Sequence, residues 1–116
     1  MAKGDILLVS LPASDKREEK GNRPAIAVQT DIANSPMLMI VPVTSSLGAL
    51  RFSFTVKIEP SEQNGLTLPS VAMVFQMRAI DRQRIIRKIG ELESEYLAKV
   101  DAEIWRMLKP SEIEES

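Results

Sequence analysis

Arg23 and Thr44 are the residues whose types and positions best suit chemistry. Arg23 ends a long polar segment, 11–23, directly before a Pro-led apolar segment, and Thr44 directly follows the apolar segment 37–43. If these two apolar segments are strands that pair antiparallel, the start of one lies beside the end of the other. A guanidinium beside a hydroxyl and the free N–H groups of a turn forms a phosphate site. Spacing alone also allows a surface arginine and a turn threonine that binds its own backbone.

Two absences limit the chemistry that this chain can perform. The 116 residues include no cysteine and no histidine. A disulfide scaffold, a thiolate zinc site, a cysteine nucleophile and an imidazole base are therefore excluded. We expect a site without metal or cofactor, where any hydrolysis proceeds without imidazole.

Length and composition are typical of a single globular domain. Apolar residues make up 44% of the chain and charged residues 27%, which is ordinary for folded proteins. The longest apolar runs, 6–9 and 37–43, are too short to cross a bilayer, and the first residues contain no apolar signal core. We therefore expect a cytoplasmic protein without membrane contact.

The net charge of −1 conceals an uneven distribution. Residues 1–90 carry twelve Lys/Arg and eight Asp/Glu, whereas residues 91–116 carry three and eight. The basic stretches are 16–23 and 78–88. A basic body of this kind can bind a polyanion. A solvated surface is the simpler interpretation of each stretch, and a pI near 5.5 counts against a dedicated nucleic-acid binder.

Short apolar segments separated by turn residues predict strands before residue 90. The predicted strands are 5–10, 24–29, 37–43, 52–58, 70–77 and a weaker 84–89. Pro24 is expected to open the second strand, and Pro42 places the third at a sheet edge or a bulge. Alternation over 52–58 predicts a half-buried strand, and the nearly continuous apolar run 70–77 predicts a strand in the middle of the sheet.

After Gly90 the apolar residues recur with the period of a helix. Ser94 is the predicted N-cap, and Pro110 ends the helix. We predict one domain over 1–116, with a barrel at 3–90, a helix at 93–109 and an acidic tail at 110–116. The fold class is mainly β: a small curved sheet or barrel with a C-terminal α-helix.

Five short blocks, in this order and spacing, resemble the MazF/PemK family of toxins from toxin–antitoxin systems. The blocks are KGDI at 3–6, GNRPAIAVQ at 21–29, VPVTS at 41–45, SVA at 70–72 and QMRAID at 76–81. The resemblance implies an SH3-like barrel of the type shared with the CcdB toxins, and a homodimer. It also implies metal-independent, sequence-selective cleavage of single-stranded RNA, and a small acidic antitoxin as protein partner.

The resemblance also implies roles for individual residues. Arg23 matches the family's catalytic arginine and Thr44 its catalytic threonine, while Glu18 lies where the family often has an acidic residue. The expected RNA-binding residues are Ser45, Gln76, Arg78, Lys16, Arg17 and Lys20.

Three departures from the family pattern bear on activity. The loop 15–20 replaces the family's glycine–serine–glutamate–glutamine loop and is one residue longer. Phe75 stands where the PemK branch has an aspartate base, and the loop histidine of that branch is absent. The chain therefore resembles the MazF branch, whose core pair is arginine and threonine.

Without imidazole or metal, the simplest nucleophile is the 2′-OH of the RNA itself. In-line attack on the adjacent phosphorus gives a 2′,3′-cyclic phosphate and a free 5′-OH, and requires orientation and charge stabilisation. Arg23 suits the charge role but is a poor base, because its pKa exceeds about 12. Glu18 is the best candidate base by sequence. Two alternatives remain at this point: an inactive module that binds RNA or antitoxin, and a gyrase poison on the same fold.

Few residues suggest surfaces for RNA bases or for a second copy. With 4% aromatic residues, the sequence offers no obvious base-stacking platform. Tyr96 and Trp105 are expected to be packing or dimer residues of the helix. Met37 and Met39 on the third strand, together with the helix, suggest the dimer surface.

Overall fold

The computed structural model describes residues 2–12, 21–30 and 35–110. Its strands are β1 (Asp5–Leu11), β2 (Gly21–Ala27), β3 (Met37–Thr44), β4 (Thr55–Ile58), β5 (Ser70–Met73), β6 (Arg78–Asp81) and β7 (Ile85–Glu91), and its α-helix is α1 (Ser94–Leu108). Three short 3₁₀ segments cover Leu47–Arg51, Val74–Gln76 and Arg82–Arg84. Within these described ranges, no helix is both long enough and apolar enough to cross a membrane.

The strands form one curved, unclosed antiparallel sheet. Their order is β4-β5-β3-β2-β1-β7, and β6 also pairs with β3. Both β5 and β6 pair with β3: Met37 to Ile40 face β6, and Val43 and Thr44 face β5. The expectation of a mainly β fold with a curved sheet and a C-terminal helix is confirmed.

Two apolar clusters lie on opposite faces of the central strands. Alternate residues of a strand point to opposite faces, so Ile26 joins one cluster and its neighbours Ala25 and Ala27 join the other. The first cluster includes Val100 of α1. The second includes Leu7, Val9 and Leu11 of β1, Leu38 and Ile40 of β3, and Ile80 of β6. We call the first the helix-side face and the second the open face, a name that means only that α1 does not pack on it, since its clustered residues are also buried.

The predicted edge position of the third strand is wrong. Within the described sheet β3 has partners on both sides, with β2 along one edge and β5 and β6 along the other. Pro42 lies between the part that pairs with β6 and the part that pairs with β5. Its missing N–H therefore costs no hydrogen bond of those ladders. Met37 is 40% exposed, although it does not lie on an unpaired edge.

Pro24 does not open the second strand, which begins at Gly21. From Gly21 to Pro24 this strand pairs with β1, and its ladder with β3 starts at Ala25. Pro24 is tolerated because the ladder with β3 does not reach it.

The segments 52–58 and 70–77 are shorter as strands than predicted. Residues 52–54 lie outside β4, and Phe54 has φ 61°, which breaks an extended conformation. The run 70–77 divides into β5 and a 3₁₀ segment, and β5 lies one strand from the end of the sheet. Apolar continuity signalled burial correctly, but it did not reveal the strand's position or its early end.

The end of the chain follows the prediction with small differences. The strand predicted at 84–89 is present as β7, whereas β6 was not predicted. The helix N-cap is Glu93, not Ser94, and α1 ends at Leu108. The predicted acidic tail, apart from Pro110, lies outside the described residues.

Candidate active site

Arg23 and Thr44 lie on neighbouring strands, at the ends that face each other. The ladder between β2 and β3 pairs Ala25 with Pro42. Continuing that register by two positions along each strand sets Arg23 opposite Thr44. The ladder itself ends at Ala25 and Pro42, so Arg23 and Thr44 lie two residues beyond its end. The antiparallel pairing expected from the sequence is confirmed.

Both residues continue the open face of the sheet. Arg23 precedes Ala25 by two positions on β2, and Thr44 follows Ile40 by four on β3; Ala25 and Ile40 both belong to the open-face cluster. The period of two therefore sets Arg23 and Thr44 on that face. Because α1 packs on the other face, the helix does not cover them.

Arg23 is half-buried and lines a cavity of about 310 Å³, which we call the Arg23 cavity. Its polar lining includes the hydroxyl residues Ser45, Thr67 and Ser70 and a second arginine, Arg87. Its described lining contains no Asp or Glu. Two guanidinium groups and three hydroxyls with no carboxylate suit an anionic group such as phosphate.

Thr44 is 5% exposed and lines a neighbouring groove of about 510 Å³, which we call the Thr44 groove. The described residues of this groove are Thr44, Ser46, Gly48, Ala49, Arg51, Phe52, Met73, Phe75 and Gln76. The Thr44 Oγ1 accepts a hydrogen bond from the Ser46 N–H at 3.1 Å, which fixes the hydroxyl and leaves its hydrogen to donate. Arg23 and Thr44 thus come from neighbouring strands but line two different cavities. Ser45 lines the Arg23 cavity, and Ser46 lines the Thr44 groove.

Gln76 lines the Thr44 groove, and Arg78 lines a smaller cavity that shares Phe75 and Gln76 with it. Gln76 ends the 3₁₀ segment after β5 and lines the groove with Thr44. Arg78 begins β6 opposite Ile40, so it also lies on the open face. A smaller cavity of about 220 Å³ connects Gln76 with Arg78. The sequence blocks at 41–45 and 76–81 therefore meet in space.

The other predicted site residues divide into those outside the described residues and those that do not form one surface. Lys16, Arg17, Glu18 and Lys20 lie outside the described residues. The basic stretch 78–88 turns from β6 into β7, and its cations separate. Lys88 forms salt bridges with Asp5 at 3.3 Å and Glu91 at 2.9 Å. The hydrogen bond from Lys88 to Glu91 and the nearby Asp5 raise the Lys88 pKa. Lys88 is thus engaged by carboxylates, while Arg78 and Arg87 line two different cavities.

The helix residues predicted for packing have different surroundings. Tyr96 packs against the helix-side cluster, and its hydroxyl oxygen accepts a hydrogen bond from the Glu59 N–H at 3.2 Å. Trp105 is 69% exposed. The packing role of Tyr96 is confirmed, whereas Trp105 remains a surface residue of this chain.

Sequence reasoning missed an aromatic and cationic wall of the Thr44 groove, formed by Arg51, Phe52 and Phe75. The Phe52 and Phe75 rings have centroids 5.3 Å apart at an interplanar angle of 52°. The Arg51 guanidinium carbon lies 4.6 Å from the Phe52 centroid. The adjacent Arg51-Phe52 pair was a signal in the sequence, but assigning Phe52 to a half-buried strand directed it to the core. Within the described residues 2–12, 21–30 and 35–110, no group of three or more Asp/Glu is arranged to hold a metal ion.

These features define a class: a small protein with a curved antiparallel sheet and a C-terminal helix, with arginine and hydroxyl side chains around two cavities beside β2 and β3. The family model described as PemK-like, MazF-like toxin of type II toxin–antitoxin system matches residues 2–108. The chain belongs to this family.

Curated relatives and solved structures agree with this assignment. The chain is 32% identical over 101 residues to Endoribonuclease EndoA of Bacillus subtilis, covering 85% of this chain and 86% of the relative. It is 31% identical over 108 residues to Endoribonuclease MazF9 of Mycobacterium tuberculosis, covering 87% and 90%.

Two solved structures share the fold at lower identity. MazF from Deinococcus radiodurans has a TM-score of 0.77 at 23% identity, over 93% of this chain and 96% of that chain. A MazE–MazF crystal structure from the same organism has a TM-score of 0.73 at 23% identity, over 96% and 97%. These similarities support the fold across nearly the whole chain.

Proposed function

We propose that this chain is the toxin of a toxin–antitoxin pair and an endoribonuclease that cleaves single-stranded mRNA, with Arg23 and Thr44 at its catalytic centre. The observation that carries the proposal is the antiparallel pairing of β2 with β3, which brings Arg23, near the start of β2, and Thr44, the last residue of β3, to the same end of this strand pair. Relatives that are themselves named endoribonucleases support the activity. They also favour it over an inactive module or a gyrase poison.

Cleavage by the substrate's own 2′-OH fits the chemistry of these residues. The 2′-oxygen attacks phosphorus, the bond from phosphorus to the 5′-oxygen breaks, and a 2′,3′-cyclic phosphate and a 5′-OH result. The proton of the 2′-OH passes to a base, and a proton is delivered to the leaving 5′-oxygen. Arg23 donates hydrogen bonds to the non-bridging oxygens as charge develops on them. Thr44 donates its hydroxyl hydrogen to the same phosphate.

The described residues offer no candidate for the base that removes the proton of the 2′-OH. Neither the Arg23 cavity nor the Thr44 groove has an Asp or Glu among its described lining residues. Glu18, the base suggested by sequence, lies outside the described residues. We propose Glu18 for this role, with Arg23 remaining protonated throughout the reaction.

RNA binding is proposed to extend from the scissile phosphate along the Thr44 groove. Ser45 lines the Arg23 cavity, Gln76 lines the groove, and Arg78 lines the smaller cavity that adjoins Gln76. The loop cations Lys16, Arg17 and Lys20 complete the proposed RNA-binding set. Arg78 supplies a positive charge for a second phosphate, and Gln76 supplies an amide that can donate and accept.

Two protein partners and a compartment belong to the same proposal. The family and the MazE–MazF neighbour support a cognate antitoxin as a partner of this chain. We also propose a homodimer, to which the exposed apolar residues Met37 and Trp105 contribute surface. We place the activity in the cytoplasm, where mRNA is translated.

The test is digestion of a long single-stranded RNA by the purified full chain in excess EDTA. The expected products are discrete fragments with 2′,3′-cyclic phosphate and 5′-OH ends. A matched RNA with a single 2′-deoxynucleotide at the cleaved position should remain intact, because it lacks the nucleophile. Cleavage of that control at the same bond, or the absence of any discrete product, would contradict the proposal. Inhibition of DNA supercoiling without RNA cleavage would support the gyrase alternative.

A further inference from the structure

We infer that Phe52 and Phe75 form a stacking platform for a nucleobase of the RNA strand that lies in the Thr44 groove. The inference rests on the proposed function, because it names how that same site holds its substrate. The platform comprises the two phenyl rings and the Arg51 guanidinium.

The exposure of the rings is the first argument for this role. Phe52 is 46% exposed and Phe75 is 36% exposed. Both line a groove of about 510 Å³, which has room for a base. Burying phenyl rings normally stabilises a fold. These two rings nevertheless keep exposed surface, which is available to a ligand. Bases stack on aromatic side chains irrespective of sequence, because every base has a π-face.

The backbone conformation that brings the rings together is the second argument. Phe54 has φ 61°, a left-handed conformation that is unfavourable for a bulky residue. The Phe54 carbonyl oxygen accepts a hydrogen bond from the Phe75 N–H at 3.3 Å. The Phe54 ring lies below the Arg106 guanidinium of α1, with 4.7 Å from its carbon to the ring centroid. The strained turn therefore ties the Phe52 segment to Phe75 while α1 holds Phe54.

The charges around the rings favour RNA over other apolar ligands. Arg51 lies against the Phe52 ring, and Arg78 lies with Phe75 at the adjoining smaller cavity. The described lining of the groove contains Arg51 and no Asp or Glu. A cation beside an aromatic face suits a stacked base joined to an anionic phosphate. Thr44 in the same groove ties the platform to the proposed site of cleavage.

The test separates stacking from simple apolar contact by exchanging Phe52 for leucine. The probes are 2′-O-methyl oligonucleotides, which lack the 2′-OH nucleophile, in base-bearing and abasic forms of equal length. Fluorescence anisotropy gives the Kd for both. The parent protein should bind the base-bearing strand more tightly. F52L should weaken that binding by about 5- to 150-fold, the range measured for single base–aromatic stacks. Its affinity for the abasic strand should be unchanged.

Two further variants keep the result interpretable. Phe52→Trp retains a π-face and should bind the base-bearing strand at least as tightly as the parent. In a Trp105→Phe background, the new indole fluorescence should be quenched by that strand and not by the abasic one. Ile86→Ala removes an exposed apolar side chain of β7 that does not line the groove, so both affinities should stay at the parent value.

Each outcome decides for or against the platform separately from the nuclease proposal. If F52L, shown to be folded by circular dichroism, binds base-bearing RNA as the parent does, the platform is refuted even where the parent cleaves RNA. If F52L lowers affinity for an acidic antitoxin peptide and not for RNA, the surface is a protein-docking site and the inference is also refuted. If stacking is observed without RNA cleavage by the parent, the platform stands and the nuclease proposal fails.

Discussion

Thr44 and Gln76 line the same groove although they come from elements that are distant in sequence. Thr44 pairs with Val71 of β5, and the 3₁₀ segment that follows β5 ends at Gln76. The chain then returns to β3 when Arg78 pairs with Ile40. Because β5 and β6 pair with two parts of one edge of β3, the segment between them must lie beside Thr44. Sheet pairing therefore positions Gln76 before any side-chain contact does.

Replacing Thr44 should separate the role of its hydroxyl from that of its shape. Thr44→Val keeps the branched side chain but removes the hydrogen bond from Ser46 and the proposed donor to phosphate. We expect single-turnover cleavage to fall about 10²- to 10³-fold, the usual effect of losing one donor to a developing oxyanion. Thr44→Ser should retain the rate within about tenfold of the parent. A valine variant that cleaves at the parent rate would remove Thr44 from the catalytic centre.

Arg23 should be needed for the rate of cleavage more than for binding. Arg23→Ala removes the guanidinium and should reduce the single-turnover rate by at least about 10²-fold. Arg23→Lys keeps the charge without the two-pronged donor geometry and should give an intermediate rate. The rates are compared at saturating protein, with binding measured on a 2′-O-methyl strand. If Arg23→Ala cleaves as fast as the parent, the proposed mechanism is wrong.

Much of this fold was predictable because the spacing of apolar residues and the positions of turn residues are local features that correspond directly to strands and helices. The apolar runs of β1, β3 and β7 and the helical period of α1 each matched an observed element. Arg23 and Thr44 were predictable neighbours, because antiparallel pairing of two successive strands brings one start beside one end.

The remaining features depended on tertiary contacts that a local pattern does not contain. Alternation at 52–58 indicated a strand, but the left-handed Phe54 ends the extended conformation and releases Phe52 to the surface. Strand order was equally inaccessible, since β5 is buried with a partner strand on each side although it lies only one strand from the end of the sheet. The two cavities bring together residues from segments distant in the chain, such as Arg23 with Arg87 and Thr44 with Gln76, which no local spacing specifies.

Arg78 should contribute a phosphate contact that is visible in the salt dependence of RNA binding. Each neutralised phosphate of a single strand adds about −0.7 to the slope of log K against log salt. Arg78→Gln should therefore make the slope shallower by about that amount and weaken binding similarly for different sequences. Lys57→Gln is the control, because Lys57 lies on β4 in a salt bridge with Glu59 at 3.4 Å and lines neither the Arg23 cavity nor the Thr44 groove. Equal slopes for Arg78→Gln and the parent would exclude a phosphate contact at this residue.

Glu93 should make the stability of the fold depend on pH in the acid range. Its Oε2 accepts a hydrogen bond from the Ser61 hydroxyl at 2.7 Å, and its Oε1 accepts one from the Asn64 amide at 3.1 Å. Asn64 is fully buried, so this network joins the 59–66 loop to the start of α1. Burial of the Glu93 carboxyl acts to raise its pKa, but the hydrogen bonds from Ser61, its own backbone N–H and Asn64 outweigh it and lower the pKa below 4.5.

A lowered pKa in the folded state means that folding favours the ionised carboxylate. The contribution of Glu93 is therefore fully present above the ordinary pKa of 4.5 and is lost as pH falls through the lower folded value. Glu93→Gln should reduce the free energy of unfolding by about 1 kcal/mol at neutral pH and flatten its decline below pH 4.5. Urea unfolding at several pH values measures both effects, with the exposed Glu95→Gln as control. Glutamine does not ionise in this range, so only the parent and the control should show the part of the acid decline that comes from Glu93. If the unfolding free energy of Glu93→Gln falls in acid as steeply as theirs, another group carries the pH dependence.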